Sequence, residues 1–113
     1  MENSFLMGSI NDIDFDLTSH GVGLKKVLIT HDKCHSNLQQ FAYGSLVAGE
    51  EIEEHVHPSM EEFYYLISGK LSFRIENACF NCSKGDYIMV PCGEVHQMNA
   101  ISNVTFVYFG VKI

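Results

Sequence analysis

The sequence predicts an all-β protein, an antiparallel sandwich or barrel with little helix. Three observations carry that expectation. Apolar and polar residues alternate with a period of two over short stretches, and helical periodicity is scarce. Turn-forming residues break the chain at spacings of about 8–12 residues. Most of the 13 Phe and Tyr residues fall inside the alternating stretches, where aromatic rings suit a pleated, buried face.

Taken in order, the candidate strands cover residues 13–17, 25–30, 38–47, 51–57, 62–67, 71–75, 79–83, 87–90, 96–101 and 104–109. Gly21 and Gly23 separate the first two, and the polar run His31-Asp32-Lys33-Cys34-His35 is expected as a loop before the third. Gly49 closes the third strand, and Pro58-Ser59-Met60 turns the chain after the fourth. Ser68-Gly69 joins the fifth and sixth tightly enough to predict a hairpin. Asn77, Gly85 and Pro91-Cys92-Gly93 bound the seventh and eighth, and Ser102-Asn103 parts the ninth from the tenth. The tenth, Val104-Thr105-Phe106-Val107-Tyr108-Phe109, is apolar on both faces. One face is therefore expected against the core and the other against a second sheet or another subunit.

A chain of 113 residues is expected as a single domain, 1–113, with 1–24 as an N-terminal arm and 25–113 as the barrel. Its 46 % hydrophobic and 19 % charged residues describe a globular chain. Seven Lys and Arg against 14 Asp and Glu give a formal charge of −7, and Lys25-Lys26 is the only adjacent basic pair. That balance argues against nucleic acid or an anionic membrane as partner. Apolar runs such as Phe63-Tyr64-Tyr65-Leu66-Ile67 fall far short of the roughly 18 residues of a membrane span. The Met1-Glu2-Asn3 start lacks the basic and apolar regions of a secretory leader, so a cytoplasmic location is expected. In a reducing compartment Cys34, Cys79, Cys82 and Cys92 are expected as free thiols. Cys82 then reads as a small buried side chain rather than half of a zinc pair with Cys79.

The chemistry concentrates in two stretches. The first reads Gly49-x5-His55-x-His57-x4-Glu62-x6-Gly69. Residues i and i+2 of a strand share a face, so His55 and His57 project the same way, and Glu62 opens the next strand after the Pro58 turn. The second reads Gly85-x5-Pro91-x-Gly93-x2-His96 and brings a third imidazole from a distant part of the chain. Three imidazoles and a carboxylate are a ligand set for a divalent first-row metal.

These two stretches resemble the paired motifs of the cupin superfamily. The first matches at every fixed position, the second matches at Gly85, Pro91, Gly93 and His96, and the 15 residues from Lys70 to Lys84 equal the short spacer of single-domain members. One position departs: Ala100 stands where the family carries an Asn four residues after the motif His, with Asn99 one residue early. The resemblance implies an antiparallel double-stranded β-helix, or jelly-roll barrel, of the RmlC-like kind. It implies His55, His57, Glu62 and His96 as metal ligands, with Glu61 a weaker competitor because only Glu62 leaves six residues to Gly69. The metal would be Zn, Fe, Ni or Mn. The implied function is a small-molecule enzyme of isomerase, lyase or dioxygenase type, in which the metal acts as Lewis acid or dioxygen centre. The alternative is a non-catalytic module that binds a small polar ligand.

Strand phase extends the site. Tyr64 and Leu66 share the face of Glu62, and Met98 that of His96, so they are expected to line an apolar cup. Phe63, Tyr65 and Ile67 point the other way and, with the 104–109 stretch, predict a homodimer built on one sheet face. Phe41, Tyr43 and Ser45 alternate with Gln40, Ala42 and Gly44, and alternation alone leaves open which set faces the cup. Glu53 falls on the ligand face, at the barrel mouth unless a bulge re-aims it. His20, beside Gly21, reads as a loop residue, and Arg74 is the nearest cation that could reach the ligands across a strand pair.

Overall fold

Each of the alternating stretches becomes a strand in the computed structural model, which describes residues 5–113. The strands are β1 (Asp16–Leu17), β2 (Leu24–Thr30), β3 (Leu38–Leu46), β4 (Glu51–His55), β5 (Met60–Ser68), β6 (Lys70–Ile75), β7 (Ala78–Ser83), β8 (Tyr87–Val90), β9 (His96–Ala100) and β10 (Val104–Lys112). Two single 3-10 turns, Ile10–Asp12 and His31–Lys33, are the helical elements among the described residues. None is long and apolar enough to cross a membrane. The Met1-Glu2-Asn3 start, on which the leader reading rests, lies outside the described residues.

Two antiparallel sheets form, one of six strands in the order β1-β2-β3-β10-β5-β8 and one of four in the order β4-β9-β6-β7. From β3 onward the chain steps back and forth between them, which makes the double-sheet jelly roll that the sequence predicts. That stepping corrects one expectation. Ser68-Gly69 does not close a hairpin, because β5 pairs with β10 and β8 whereas β6 pairs with β7 and β9. Gly69 is the point where the chain crosses from sheet to sheet, at φ 82°, and a Cβ there would overlap the Asn103 carbonyl oxygen. A two-residue hairpin does occur at Glu76-Asn77, between the paired residues Ile75 and Ala78.

The core lies between the sheets and is filled by alternate residues of each strand. Leu66, Leu71 and Val104 are wholly buried there, with Leu46, Ile52 and Phe73 packed beside them. Burial settles the phase of β3: Ala42, Gly44 and Leu46 face inward, and Phe41 and Tyr43 face out. The departure at Ala100 leaves the turn intact, since Ala100 is buried and its N–H donates to the Glu50 carbonyl at 2.9 Å. Asn103 anchors that corner instead, its side-chain oxygen accepting the Ala48 N–H at 2.9 Å.

The outer face of the larger sheet is apolar in two rows. Ile29, Phe41, Phe109, Phe63 and Met89 stand in register across five strands. Tyr43, Val107, Tyr65 and Tyr87 form the next row. Within the first row Phe63 stacks on Phe109 with ring centroids 4.8 Å apart.

Candidate metal centre

Strand pairing brings the distant imidazole to the others. His96 opens β9 and is the direct cross-strand partner of His55 at the end of β4. His57 lies just past β4, and Glu62 sits on the adjoining sheet, in β5. His55 faces inward only because the β4–β9 register shifts between Ile52 and His55. Ile52 is in the core, and without a bulge the odd spacing would turn His55 outward and Glu54 inward. With the bulge, Glu53 and Glu54 both stay exposed, and Glu54 pairs with Arg74 on the outer surface. Arg74, the cation expected nearest the ligands, is thereby directed away from them.

The structure brings together all four side chains named from the sequence. His55, His57, Glu62 and His96 each offer one ligand atom, and these atoms lie within 4.8 Å of one another. Nε2 of His57 and of His96 stand 3.1 and 3.3 Å from the same Glu62 oxygen. Both are buried, yet neither has the geometry of a hydrogen bond to it or to any other group. Buried polar atoms without partners are rare and call for an explanation. Nitrogens that converge on a carboxylate without bonding to it fit an ion seated among them, so the donor set suits a divalent metal. Glu61 is only half-buried and lies on the opposite face of β5 from Glu62.

The surroundings prepare these atoms to ligate. His55 Nδ1 lies 2.8 Å from the Glu53 carbonyl and His96 Nδ1 lies 3.0 Å from that of Glu94. A carbonyl only accepts, so each Nδ1 carries the proton and each Nε2 keeps its lone pair toward the cluster. Tyr64 donates its hydroxyl to Glu62 at 3.0 Å. Burial would raise the Glu62 pKa, but the imidazoles of His57 and His96 and the Tyr64 hydroxyl outweigh it and hold the carboxyl at about 2. The nearby Glu62 carboxylate raises His57, whereas burial lowers His55. Burial beside the Glu62 carboxylate pushes Tyr64 well up and Tyr108 to about 12, so both hydroxyls stay protonated donors at neutral pH.

His55, His57 and Glu62 line a cup enclosing about 90 Å3, with His96 buried behind them. Tyr64 and Met98 line it as their strand phase predicts, but Leu66 lies deeper and is wholly buried in the core. Several contributors escape the sequence reading, Tyr108, Lys25 and His20 among them. Tyr108 lies opposite Tyr64 in the β10–β5 ladder, and its even spacing from Phe106 is a signal that could have found it. Lys25 also lines the cup. His20 does lie in a loop, but that loop folds over the cup and sets the His20 ring 4.3 Å from that of His55. The loop holds itself in place: Thr18 donates its hydroxyl to the Val22 carbonyl, and Gly21 and Gly23 take φ of 73° and 78°. Cys82 is buried and Cys79 exposed, on opposite faces of β7, and neither is in a disulfide.

Known proteins carry the same frame. A protein described as a predicted oxalate decarboxylase from Thermotoga maritima superposes with a TM-score of 0.88 over 96 % of this chain and 100 % of its own, at 18 % identity. The uncharacterized protein MJ1618 of Methanocaldococcus jannaschii is 28 % identical over 89 residues, which span 78 % of this chain and 70 % of that protein. The tetracenomycin polyketide synthase protein TcmJ of Streptomyces glaucescens is 26 % identical over 82 residues, 73 % of this chain and 55 % of its own length. The sequence profile of the Cupin domain matches residues 42–111, a stretch that includes all four clustered side chains. With that match and the double-sheet jelly roll in hand, the chain belongs to the cupin family.

Proposed function

We propose that His55, His57, Glu62 and His96 hold one divalent first-row metal ion and that the cup above it is the site of a small-molecule enzyme. The observation that carries this reading is the pair of buried Nε2 atoms, on His57 and His96, aimed at a charged carboxylate without bonding to it. Four protein ligands leave one or two positions open to a small molecule. The ion would supply Lewis-acid chemistry, polarising a carbonyl or carboxylate oxygen, or dioxygen chemistry if it is iron. The chain does the rest. Glu53 and Glu94 carbonyls orient two imidazoles, Tyr64 steadies Glu62, and Ile52, Met98 and Phe106 keep water from the walls.

Elemental analysis of protein purified without added metal or chelator tests this reading. About one equivalent of iron, zinc, nickel or manganese is expected in the wild type and little in His57→Ala or His96→Ala. A wild type without metal that also fails to take it up, or full occupancy in both variants, would overturn the assignment.

We further propose that a second copy of the chain covers the outer face of the six-stranded sheet. Phe109, Met89, Tyr65 and Tyr87 are 37, 47, 49 and 83 % exposed on that face, more apolar surface than a lone small domain usually leaves to water. A two-fold interface above about 1,000 Å2 would bury them. Sedimentation at micromolar concentration should give twice 12.7 kDa, and a monomer mass would refute the dimer.

A further inference from the structure

We propose that the cup takes a small organic carboxylate, with the Lys25 ammonium as its counter-charge; the inference rests on the metal-centre reading above and adds the class of ligand to it. Two adjacent lysines follow Leu24 at the start of β2, and alternation sends them to opposite faces of the sheet. Lys26 goes outward, where its ammonium donates to the Ile10 carbonyl at 3.0 Å and stands 4.6 Å over the Phe15 ring. Lys25 goes inward. It is the cross-strand partner of Gly44, and partners across an antiparallel ladder share a face. Gly44 faces the core, its missing side chain leaving room for the Phe106 ring, so Lys25 projects into the same space and lines the cup.

Nothing among the described residues answers that charge. Lys25 is half-buried, and its ammonium has neither an ion pair nor a hydrogen bond there. An ammonium that lines the cup and has no side-chain partner is free to pair with an anion entering there. The protein as a whole carries −7, so its overall field repels anions, and at the cup the ion held there and Lys25 would be the local cations that reverse this. Lys25 is the one Lys or Arg lining it, while the Tyr108 hydroxyl and the Gln40 amide add neutral donors. One ammonium and a few donors match a carboxylate. The 90 Å3 of space is small, so the acid is a short one.

Calorimetric titration of the metal-loaded protein with pyruvate, malonate and succinate tests the inference, with malonamide as the uncharged control and inorganic phosphate as a competitor. Metal content is measured on the same samples before and after. At least one of the three acids should bind, Lys25→Met should weaken it by about ten-fold or more, and Lys25→Arg should keep most of the affinity. Metal content should stay unchanged in both variants, and malonamide should bind the wild type and Lys25→Met alike. The inference is overturned if none of the acids binds, if Lys25→Met binds them as well as the wild type does, or if phosphate displaces them at equal concentration. A wild type that takes up no metal is a separate result, which refutes the metal centre itself.

Discussion

The two faces of β5 are made from one run of nine residues and have opposite fates. Glu62, Tyr64 and Leu66 point inward and are buried, whereas Tyr65 and Ile67 point outward and are 49 and 39 % exposed. The inner face is chemically mixed: a charged carboxylate, a phenol bonded to it and a wholly buried leucine follow one another from the cup into the core. Beyond Glu61 the outer face is apolar and continues across the sheet through Phe109, Met89 and Val107. Alternation therefore writes two messages into one segment, one for the site and one for a partner surface, and each can be disturbed without the other.

The largest effect expected is on the inner face. Leu66→Ala should cost about 2–5 kcal/mol of folding stability, because the cavity between two packed sheets cannot close. Urea unfolding should show that loss at every protein concentration. Tyr65→Asp on the outer face should lower stability only through the dimer, so its effect should shrink as the protein is diluted. A concentration-independent loss of similar size in Tyr65→Asp would erase the distinction between the faces.

Metal binding sharpens the same contrast. His55→Ala, His57→Ala and His96→Ala should each weaken metal binding by more than about 100-fold, while Tyr65→Asp retains it. Metal lost with Tyr65→Asp would mean that the strand phase is off by one residue. A smaller effect is expected with pH. Glu62 raises the pKa of His57 above that of a free imidazole, so a proton there competes with the metal already above pH 6.5. Affinity should fall as pH drops from 8 to 6, accompanied by proton release on binding that calorimetry in two buffers can count. In the metal-free protein the signs differ. The raised His57 contributes stability below pH 6.5 that is lost as pH rises through its folded value. The depressed Glu62 contributes stability above its unfolded value of 4.5 that is lost as pH falls toward 2. The smallest effect is expected from Glu61→Gln, which should leave metal content near that of the wild type while Glu62→Gln lowers it.

Much of this was legible in the sequence because it is local. Alternation locates every strand, and the spacing of His55, His57, Glu62 and His96 is kept by a turn and a strand pair. What stayed hidden depends on distant pairing. Nothing in the run from Gln40 to Ser45 says which set faces inward, because the aromatics Phe41 and Tyr43 suit a core or a covered outer face equally, and only the packing of Phe106 on Gly44 decides it. The bulge before His55 shows only in its register against β9. Ser68-Gly69 has the composition of a hairpin turn and serves instead as a crossing between sheets. His20 and Lys25 reach the cup because β1 and β2 close over it, a consequence of the Lys25–Gly44 and Asp16–Lys25 pairings rather than of any motif.

The most direct test is anomalous diffraction from crystals of the metal-loaded protein, recorded on either side of the absorption edge of the bound element. A single strong peak is expected among the Nε2 atoms of His55, His57 and His96 and the carboxylate of Glu62, at roughly 2.0–2.2 Å from each. A peak held by other residues, or no peak in protein shown to carry metal, would contradict the account.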